Sequence, residues 1–434
     1  MNLDSRKVGV RASRFYALTF VALTGVLGMV SPHDLGLMVV QAQTTKDREA
    51  EADRLFNQGN HQFQISQFEA AFQSWQQALA IYREIKNRVG EGRAMGNLGI
   101  AYQALGKYDK AIEFQLQRLA ISREIKDRLG EGASLGNLGN AYRLLGKYDK
   151  AIEYQLQSLM IEREIKNRLG LGQSLGNLGT AYQALGKYDK AIEFHLQALE
   201  ILREIKDRNG EGSVLGNLGI AYQALGKYDK AIEFHQQILA ISREIKDRRG
   251  EGMALGNLGV AYDALGKYDK AIEFQMQRLT ISRETKDRLG ERQSLGNLGI
   301  AYKNLGKYDK AIEYQLQSFA ISREIKDRLG EGQSLGNLGA AYDALGKYDK
   351  AIKYYLQRLT ISREIKDLSG EGNTLGNIGI VYSDLGKHDK AIEYYLQSLA
   401  ISREIKNRLS EGTALNNLAV ASAKLNRDRE AMIY

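Results

Sequence analysis

Apolar residues return every three or four positions along this chain, which is the spacing of one face of an α-helix. The segment 131–170 shows the spacing at Leu135, Leu138, Tyr142 and Leu145. Gly146 follows the last of them, at the place where a left-handed residue commonly ends a helix. The pattern therefore predicts a first helix from about Glu131 to Leu145.

A second helix is predicted after a short turn. Asp149 and Glu153 place negative charge in its first turns, which is favourable at a helix N-terminus. Its apolar residues are Ala151, Ile152, Tyr154, Leu156, Leu159, Ile161 and Ile165. They cover a wide arc, which indicates a helix that contacts both its own partner and the next helical pair. We expect this helix to end near Lys166–Arg168.

The helical pair is one unit of a 40-residue repeat that continues without insertion or deletion. Such a fixed period is typical of a solenoid. We count about nine full repeats and one partial repeat. Residues 43–90 are expected to form a linker and a divergent first repeat that caps the array, 91–410 hold eight near-identical repeats, and 411–434 hold a partial terminal repeat. The predicted fold class is an all-α, right-handed superhelix of paired helices.

The unit resembles the tetratricopeptide repeat (TPR). The matching residues are Leu138, Gly139, Tyr142, Gly146, Tyr148 and Ala151. Arg163 stands where that family has proline, and extra residues follow it, so the resemblance implies a second helix longer by about 1.5 turns. This long form is similar to the repeats of Pins-type polarity adaptors and of kinesin light chains. Exported bacterial arrays look similar too.

Gly139 lies inside the predicted first helix, where glycine costs about 1 kcal/mol relative to alanine. Its return in the other units predicts a close approach of the paired helix. We expect Ala151 to be the small residue that faces it.

The first helix also repeats an asparagine, which is a poor helix former. The copies in the near-identical units are Asn97, Asn137, Asn177, Asn217, Asn257, Asn297, Asn337 and Asn377. In the adaptors that the unit resembles, asparagines at this place line a concave groove and hold the backbone of an extended peptide. The resemblance implies the same role here, and an amide offers the donors and acceptors for it. The alternative is that each asparagine bonds a neighbouring repeat and only stabilises the stack.

Three further positions of the first helix vary between units and share the face of the asparagines, because they are 7 and 3 residues apart. The first runs from Arg93 to Asn373 and the second from Ile100 to Ile380, in steps of one repeat. The third includes Arg143, Gln183, Gln223, Asp263, Lys303 and Asp343. A constant amide flanked by varied residues predicts a peptide site whose specificity lies in the varied positions. Neutral drift on an exposed face would give the same variation.

Composition excludes several other functions. The net charge is +9, but acidic and basic residues alternate closely, which is typical of solvated helices and not of a nucleic-acid interface. The chain has no cysteine, so a disulfide, a thiol nucleophile and a Cys-ligated metal are excluded. His195 and His235 are one period apart but have no carboxylate partner, so no metal or other cofactor is predicted. We expect neither enzymatic activity nor a small-molecule substrate.

The N-terminus has the pattern of an export signal. Basic residues precede an apolar run at Phe15–Val30, and Val40 and Ala42 offer small residues to a signal peptidase. Residues 1–42 are therefore predicted to be a signal peptide, which would make the protein periplasmic or secreted. A retained N-terminal membrane anchor is the alternative.

The sequence thus predicts an exported protein-protein interaction scaffold that binds an extended partner peptide in its concave groove. One alternative is a self-assembling structural or spacer protein. Another is a regulatory TPR fragment of a longer caspase-like protease.

Overall fold

The computed structural model describes residues 32–425, with side chains from residue 44 onwards. This part of the chain contains nineteen α-helices and no strand. Their bounds are α1 Pro32–Gln64, α2 Phe68–Glu84, α3 Arg88–Ala104, α4 Tyr108–Glu124, α5 Arg128–Leu144, α6 Tyr148–Glu164, α7 Arg168–Ala184, α8 Tyr188–Glu204, α9 Arg208–Ala224, α10 Tyr228–Glu244, α11 Arg248–Ala264, α12 Tyr268–Glu284, α13 Arg288–Asn304, α14 Tyr308–Glu324, α15 Arg328–Ala344, α16 Tyr348–Glu364, α17 Leu368–Asp384, α18 His388–Glu404 and α19 Arg408–Lys424. Odd-numbered helices are the first helices of the units and even-numbered helices are the second.

Most of the predicted signal peptide and the end of the partial terminal repeat lie outside the described residues. Residues 43–50, expected to form a linker, are helical and belong to α1. Among the described helices, none combines the length and the apolar character that are needed to cross a bilayer.

The chain divides into two compact units, Met1–Asn167 and Arg168–Tyr434. In the described part of the first compact unit, helices α1 to α6 pack as consecutive hairpins. In that of the second compact unit, helices α7 to α19 do the same. Within each, a helix packs on its neighbours in sequence, and first helices such as α11, α13 and α15 also touch the next first helix. This nearest-neighbour packing is the arrangement of a solenoid. The predicted all-α solenoid of paired helices is confirmed.

The helix ends differ from the prediction. The second helix α6 ends at Glu164, because Lys166 turns the chain with a φ of +56°. The first helix α5 begins at Arg128, because the carboxylate of Asp127 accepts the backbone N–H of Gly130 at 2.9 Å and caps it. Both helices of this unit are therefore 17 residues long, and the extra residues do not lengthen the second helix alone. The predicted left-handed Gly146 is confirmed, with a φ of +72°.

The close approach at Gly139 involves a different residue from the predicted Ala151. A Cβ on Gly139 would lie 2.6 Å from Nε2 of Gln155, which crosses from α6. This Nε2 donates a hydrogen bond to the carbonyl oxygen of Gly136 at 2.8 Å. Gln115, Gln275 and Gln315 make the equivalent bond to Gly96, Gly256 and Gly296. The glycine thus makes room for a buried amide that ties the two helices together.

His195 and His235 occupy this same position in α8 and α10. Both are fully buried, and each ring lies where a Cβ on Gly179 or Gly219 would be. Burial without a compensating charge lowers the pKa of each imidazole to about 4. In the described residues, no group of three or more metal-binding side chains is found. The two histidines are therefore packing residues of separate hairpins.

A buried glutamate links three successive helices. Glu131, at the start of α5, is 7% exposed and accepts hydrogen bonds from Arg123 of α4 at 2.8 Å and from Arg128 at 2.5 Å. Arg128 also pairs with Glu164 of α6. Glu211, Glu251 and Glu291 make the same set of ion pairs within the second unit. These networks fix the order of the helices at one end of each hairpin.

Stacked aromatic rings close the other end. The rings of Tyr142 and Tyr154 are 5.3 Å apart and almost parallel, and Nζ of Lys150 lies 5.4 Å from the centre of the Tyr142 ring. The arrangement returns at Tyr182 with Phe194, and at Tyr262 with Phe274. Such stacking and cation–π contacts add to the apolar burial of the rings.

Acid should destabilise the protein through its buried histidines. Because burial lowers the folded-state pKa to about 4, the unfolded chain binds protons first as the pH falls below 6.5. Stability is then lost between pH 6.5 and 4, by up to about 3 kcal/mol per histidine. Replacing both by glutamine, the residue at this position in other units, should reduce that loss. Melting temperatures at pH 7.5 and 4.5 check this. His61→Gln is the control, because His61 is exposed on α1. An unchanged pH dependence in the variant without both buried histidines would contradict the prediction.

Loss of a buried glutamate should destabilise the protein more than loss of an exposed glutamate that pairs with the same kind of arginine. Glu251→Gln removes charge-assisted bonds from Arg243 and Arg248 and should lower the free energy of unfolding by about 1–2 kcal/mol. The ion pairs lower the pKa of Glu251, so its contribution is present above pH 4.5 and disappears as acid protonates it. Glu244→Gln, at the solvent-exposed pair with Arg208, should leave the free energy of unfolding nearly unchanged, because exposed ion pairs contribute little. Urea titrations measure the free energy of unfolding of both variants, and an equal loss in the two would contradict this prediction.

Candidate functional site

The predicted asparagines lie on the first helices and are all half-buried, so each amide reaches the surface. Nδ2 of Asn97 donates to Oδ1 of Asn60 at 2.8 Å, and Nδ2 of Asn217 contacts Oγ1 of Thr180 at 3.4 Å. These two bonds join one first helix to the preceding one. In the described part of the chain, the amides without a side-chain hydrogen bond to protein are those of Asn137, Asn177, Asn257, Asn297, Asn337 and Asn377.

A groove between first helices brings the predicted residues together in the second unit. A cavity of about 360 Å³ lies between α9 and α11, with α10 beneath it. From α9 it is lined by Ser213, Asn217 and Ile220, which are the first varied position, the asparagine and the second varied position. From α11, Met253 and Asn257 line it. The asparagine and two of the varied positions therefore share one site.

The same arrangement recurs between α17 and α19. A cavity of about 440 Å³ is lined there by Asn373, Asn377 and Ile380, and by Asn417 of the terminal repeat. Arg358 of α16 also lines this cavity.

The third varied position joins a smaller site. A cavity of about 140 Å³ is lined by Val260 and Asp263 of α11, by Asn297 of α13 and by Gln275 beneath. Burial raises the pKa of Asp263, and Nδ2 of Asn304 donates to its carboxylate at 3.3 Å. This carboxylate therefore lies beside the asparagine of the next unit.

The other third-position residues are half-buried in the same register. Gln223 lies 3.3 Å from the buried ring of His235, and Lys303 opposes the raised pKa of Asp263. Burial raises the pKa of Asp343, with the charge of Asp384 as a further cause. Oδ1 of Asp343 is buried without a hydrogen bond. Gln183 also buries its carbonyl oxygen, so this position points partly inward and is more constrained than a freely exposed surface.

Three arginines of the second helices reach the same region and were not predicted from the sequence. Arg118, Arg278 and Arg358 stand where Ser158, Ser318 and Ser398 stand in other units. A signal was present, because Arg278 and Arg358 recur two repeats apart at a position that otherwise holds small or apolar residues.

Known proteins with this architecture were found among solved structures. The signal-transduction ATPase with a tetratricopeptide repeat sensor from Pyrococcus horikoshii is 17% identical, with a TM-score of 0.58 over 79% of this chain and 55% of that one. The apo form of the quorum sensor NprR from B. thuringiensis is 15% identical, with a TM-score of 0.58 over 82% of this chain and 99% of that one. A Rap protein complexed with competence and sporulation factor is 16% identical, with a TM-score of 0.52 over 82% and 99%. At these identities the likeness shows the fold alone.

A family model gives the assignment directly. The tetratricopeptide repeat model matches residues 49–124, 130–204, 211–284, 291–364 and 370–434, which is most of the chain. The comparison with curated proteins returns no match. The hairpins, their period and this match together place the chain in the tetratricopeptide repeat family.

Proposed function

We propose that this protein is an interaction scaffold that holds an extended segment of a partner protein in the grooves between its first helices. The asparagines would bind the backbone of the segment, and the varied positions beside them would select its side chains.

The state of the asparagine amides is the observation on which the proposal depends. If these residues only stabilised the stack, each amide should bond a neighbouring helix, as Asn97 and Asn217 do. The other six make no such bond among the described residues, although their side chains are only partly exposed. A peptide backbone presents N–H and C=O groups at regular spacing, which is the complement of a row of unbonded amides.

The cavities support the same function. Both lie between first helices, are lined by the repeated asparagines of two successive repeats, and differ in their varied residues. Among the structural relatives, the Rap protein was solved in complex with competence and sporulation factor, so this fold accommodates a binding partner there.

We also propose that the protein is exported. The support is the basic and apolar pattern of residues 1–42 and the small residues at Val40 and Ala42. N-terminal sequencing of the protein from its native cell tests this, because a mature chain that begins near residue 43 is expected. A chain that begins at Met1 and sediments with membranes would instead identify the segment as an anchor.

Self-assembly is a second candidate, because the second helices leave an apolar residue about 40% exposed in nearly every unit. These residues include Leu156, Leu196, Met276, Leu316, Leu356 and Leu396. Analytical ultracentrifugation of the protein alone distinguishes it, since self-assembly predicts species that change with concentration.

The proposed function is tested by selecting peptides on the full chain from a random 12-residue phage library. Binding of the selected peptides is then measured by fluorescence anisotropy. Changing Asn217, Asn257 and Asn297 together to alanine should weaken binding tenfold or more, because each amide contributes hydrogen bonds of about 0.5–1.5 kcal/mol.

The matched control changes Gln197, Gln237 and Gln277 to alanine. These amides are also half-buried, but they lie on second helices α8, α10 and α12. Affinity should be unchanged in the control, with equal helix content in all three proteins. Retained binding by the asparagine variant would make those residues structural, and failure to select any peptide would overturn the proposal.

A further inference from the structure

Three arginines of the second helices lie at the floor of the groove, which is the part of each first helix at the glycine directly before the asparagine. Arg118, Arg278 and Arg358 project from second helices towards a glycine of the paired first helix. A Cβ on Gly96 would lie 2.6 Å from the guanidinium of Arg118, and one on Gly256 would lie 2.7 Å from that of Arg278. The absence of a side chain at these glycines is therefore what lets the arginines pass.

The exposure of the glycines confirms this placement. The floor glycine is buried in the units that have the arginine, namely at Gly96, Gly256 and Gly336. It is half-buried in the units that have a smaller or apolar residue instead, namely at Gly136, Gly176, Gly216, Gly296 and Gly376. In these three repeats, a bound segment would therefore contact the arginine instead of the glycine.

Each arginine lies next to the predicted backbone-binding amide. The covered glycine immediately precedes the asparagine, as Gly256 precedes Asn257 and Gly336 precedes Asn337. Arg358 also lines the same cavity as Asn377 and Asn417. A charged group and a row of amides therefore face the same space.

These guanidinium groups lack a close counter-charge. Among the described residues, no carboxylate lies within 4 Å of any of the three, in contrast to Arg128 with its two glutamates. The nearest acidic influences are Asp127, Asp287 and Asp367, whose carboxylates already cap the next helix. Burial lowers the pKa of all three arginines, which indicates charge that is partly desolvated and not neutralised. Nη2 of Arg278 donates a hydrogen bond to Oε1 of Gln293, but a neutral amide does not balance the charge, and a carboxylate brought by a partner would relieve that cost.

The second compact unit, Arg168–Tyr434, contains Arg278 and Arg358. One 40-residue repeat lies between the two repeats that hold them. The first helices α11, α13 and α15 touch in succession, so two steps at a usual helix separation of 8–10 Å amount to about 20 Å. An extended peptide advances about 3.3 Å per residue and spans this distance in about six residues.

We propose that Arg278 and Arg358 each bind a carboxylate of the partner, so that the groove of the second unit selects an extended segment with two acidic residues about six positions apart. This inference rests on the proposed function and names the chemistry of its ligand. The planar guanidinium suits bidentate pairing with a carboxylate, which fixes orientation as well as charge.

Neighbouring acidic residues sharpen the register of such a segment. Asp263 and Asp343 lie in the same two repeats as the arginines. Burial raises the pKa of Tyr355, the charge of Asp343 raises it further, and the charge of Arg358 opposes the rise. An acidic side chain displaced towards these carboxylates would be repelled, while one over the arginine would be attracted. The Asp–Arg pair therefore rejects misplaced segments as well as binding correct ones.

The test compares peptides selected from the random 12-residue phage library on the full chain and on Arg278→Ser/Arg358→Ser. Serine is chosen because the chain has it at this position in α14 and α18. The full chain should enrich peptides with Glu or Asp about six positions apart, and the serine variant should lose that preference. Arg249→Asn is the control, since Arg249 is exposed and Asn209 holds its place in the preceding unit.

Affinities then quantify the effect. An enriched peptide should lose about tenfold or more in affinity when its two acidic residues are changed to Gln, and the serine variant should bind both forms equally. Arg278→Gln/Arg358→Gln repeats the measurement with polar side chains of similar length, in case serine alters the helix content.

The outcomes separate this inference from the function beneath it. Peptides enriched without an acidic preference would overturn the role of the arginines and leave the groove as a binding site. An acidic preference that survives in both variants, or that Arg249→Asn also abolishes, would overturn it as well. Enrichment of no peptide would overturn both proposals.

Discussion

The close contact between the two helices of each unit is the constraint on which the rest of the structure depends. A glycine on the first helix leaves room for a buried side chain from the second, as Gly139 does for Gln155. That contact fixes which side of the first helix faces inward. The asparagine lies two residues before this glycine, and so it is held half-buried at the groove surface. Packing inside the hairpin thus determines what the outside can bind.

A rigid repeat of this kind lets single substitutions change the chemistry of the groove without changing the backbone. Glutamine, histidine and tyrosine all fill the space at the central glycine, as Gln155, His195 and Tyr355 show. On the groove floor, one position of the second helix holds arginine, serine, alanine or isoleucine in different repeats. In both cases the helix bounds stay the same from unit to unit. The solenoid therefore separates the residues that define the fold from those that define the surface.

The fold was largely predictable because apolar spacing and a fixed period are properties of the sequence alone. The helix starts were not, because the apolar spacing that placed the start near Glu131 does not show that Asp127 is the N-cap of α5. The partner of Gly139 was wrongly predicted, since the spacing does not show that Gln155 crosses between the helices. The groove arginines were missed for a related reason, because their position usually holds a small residue. The peptide-binding role of the asparagines stays a prediction.

Photo-crosslinking tests the central claim most directly. A peptide selected on the full chain would be synthesised with a photoreactive residue at each position in turn, and its attachment sites mapped by mass spectrometry. The account predicts attachment along the first helices of the second unit, α9, α11 and α13, moving from one helix to the next as the label moves along the peptide. Attachment confined to the second helices α8, α10 and α12, or to a single spot for every label, would contradict it.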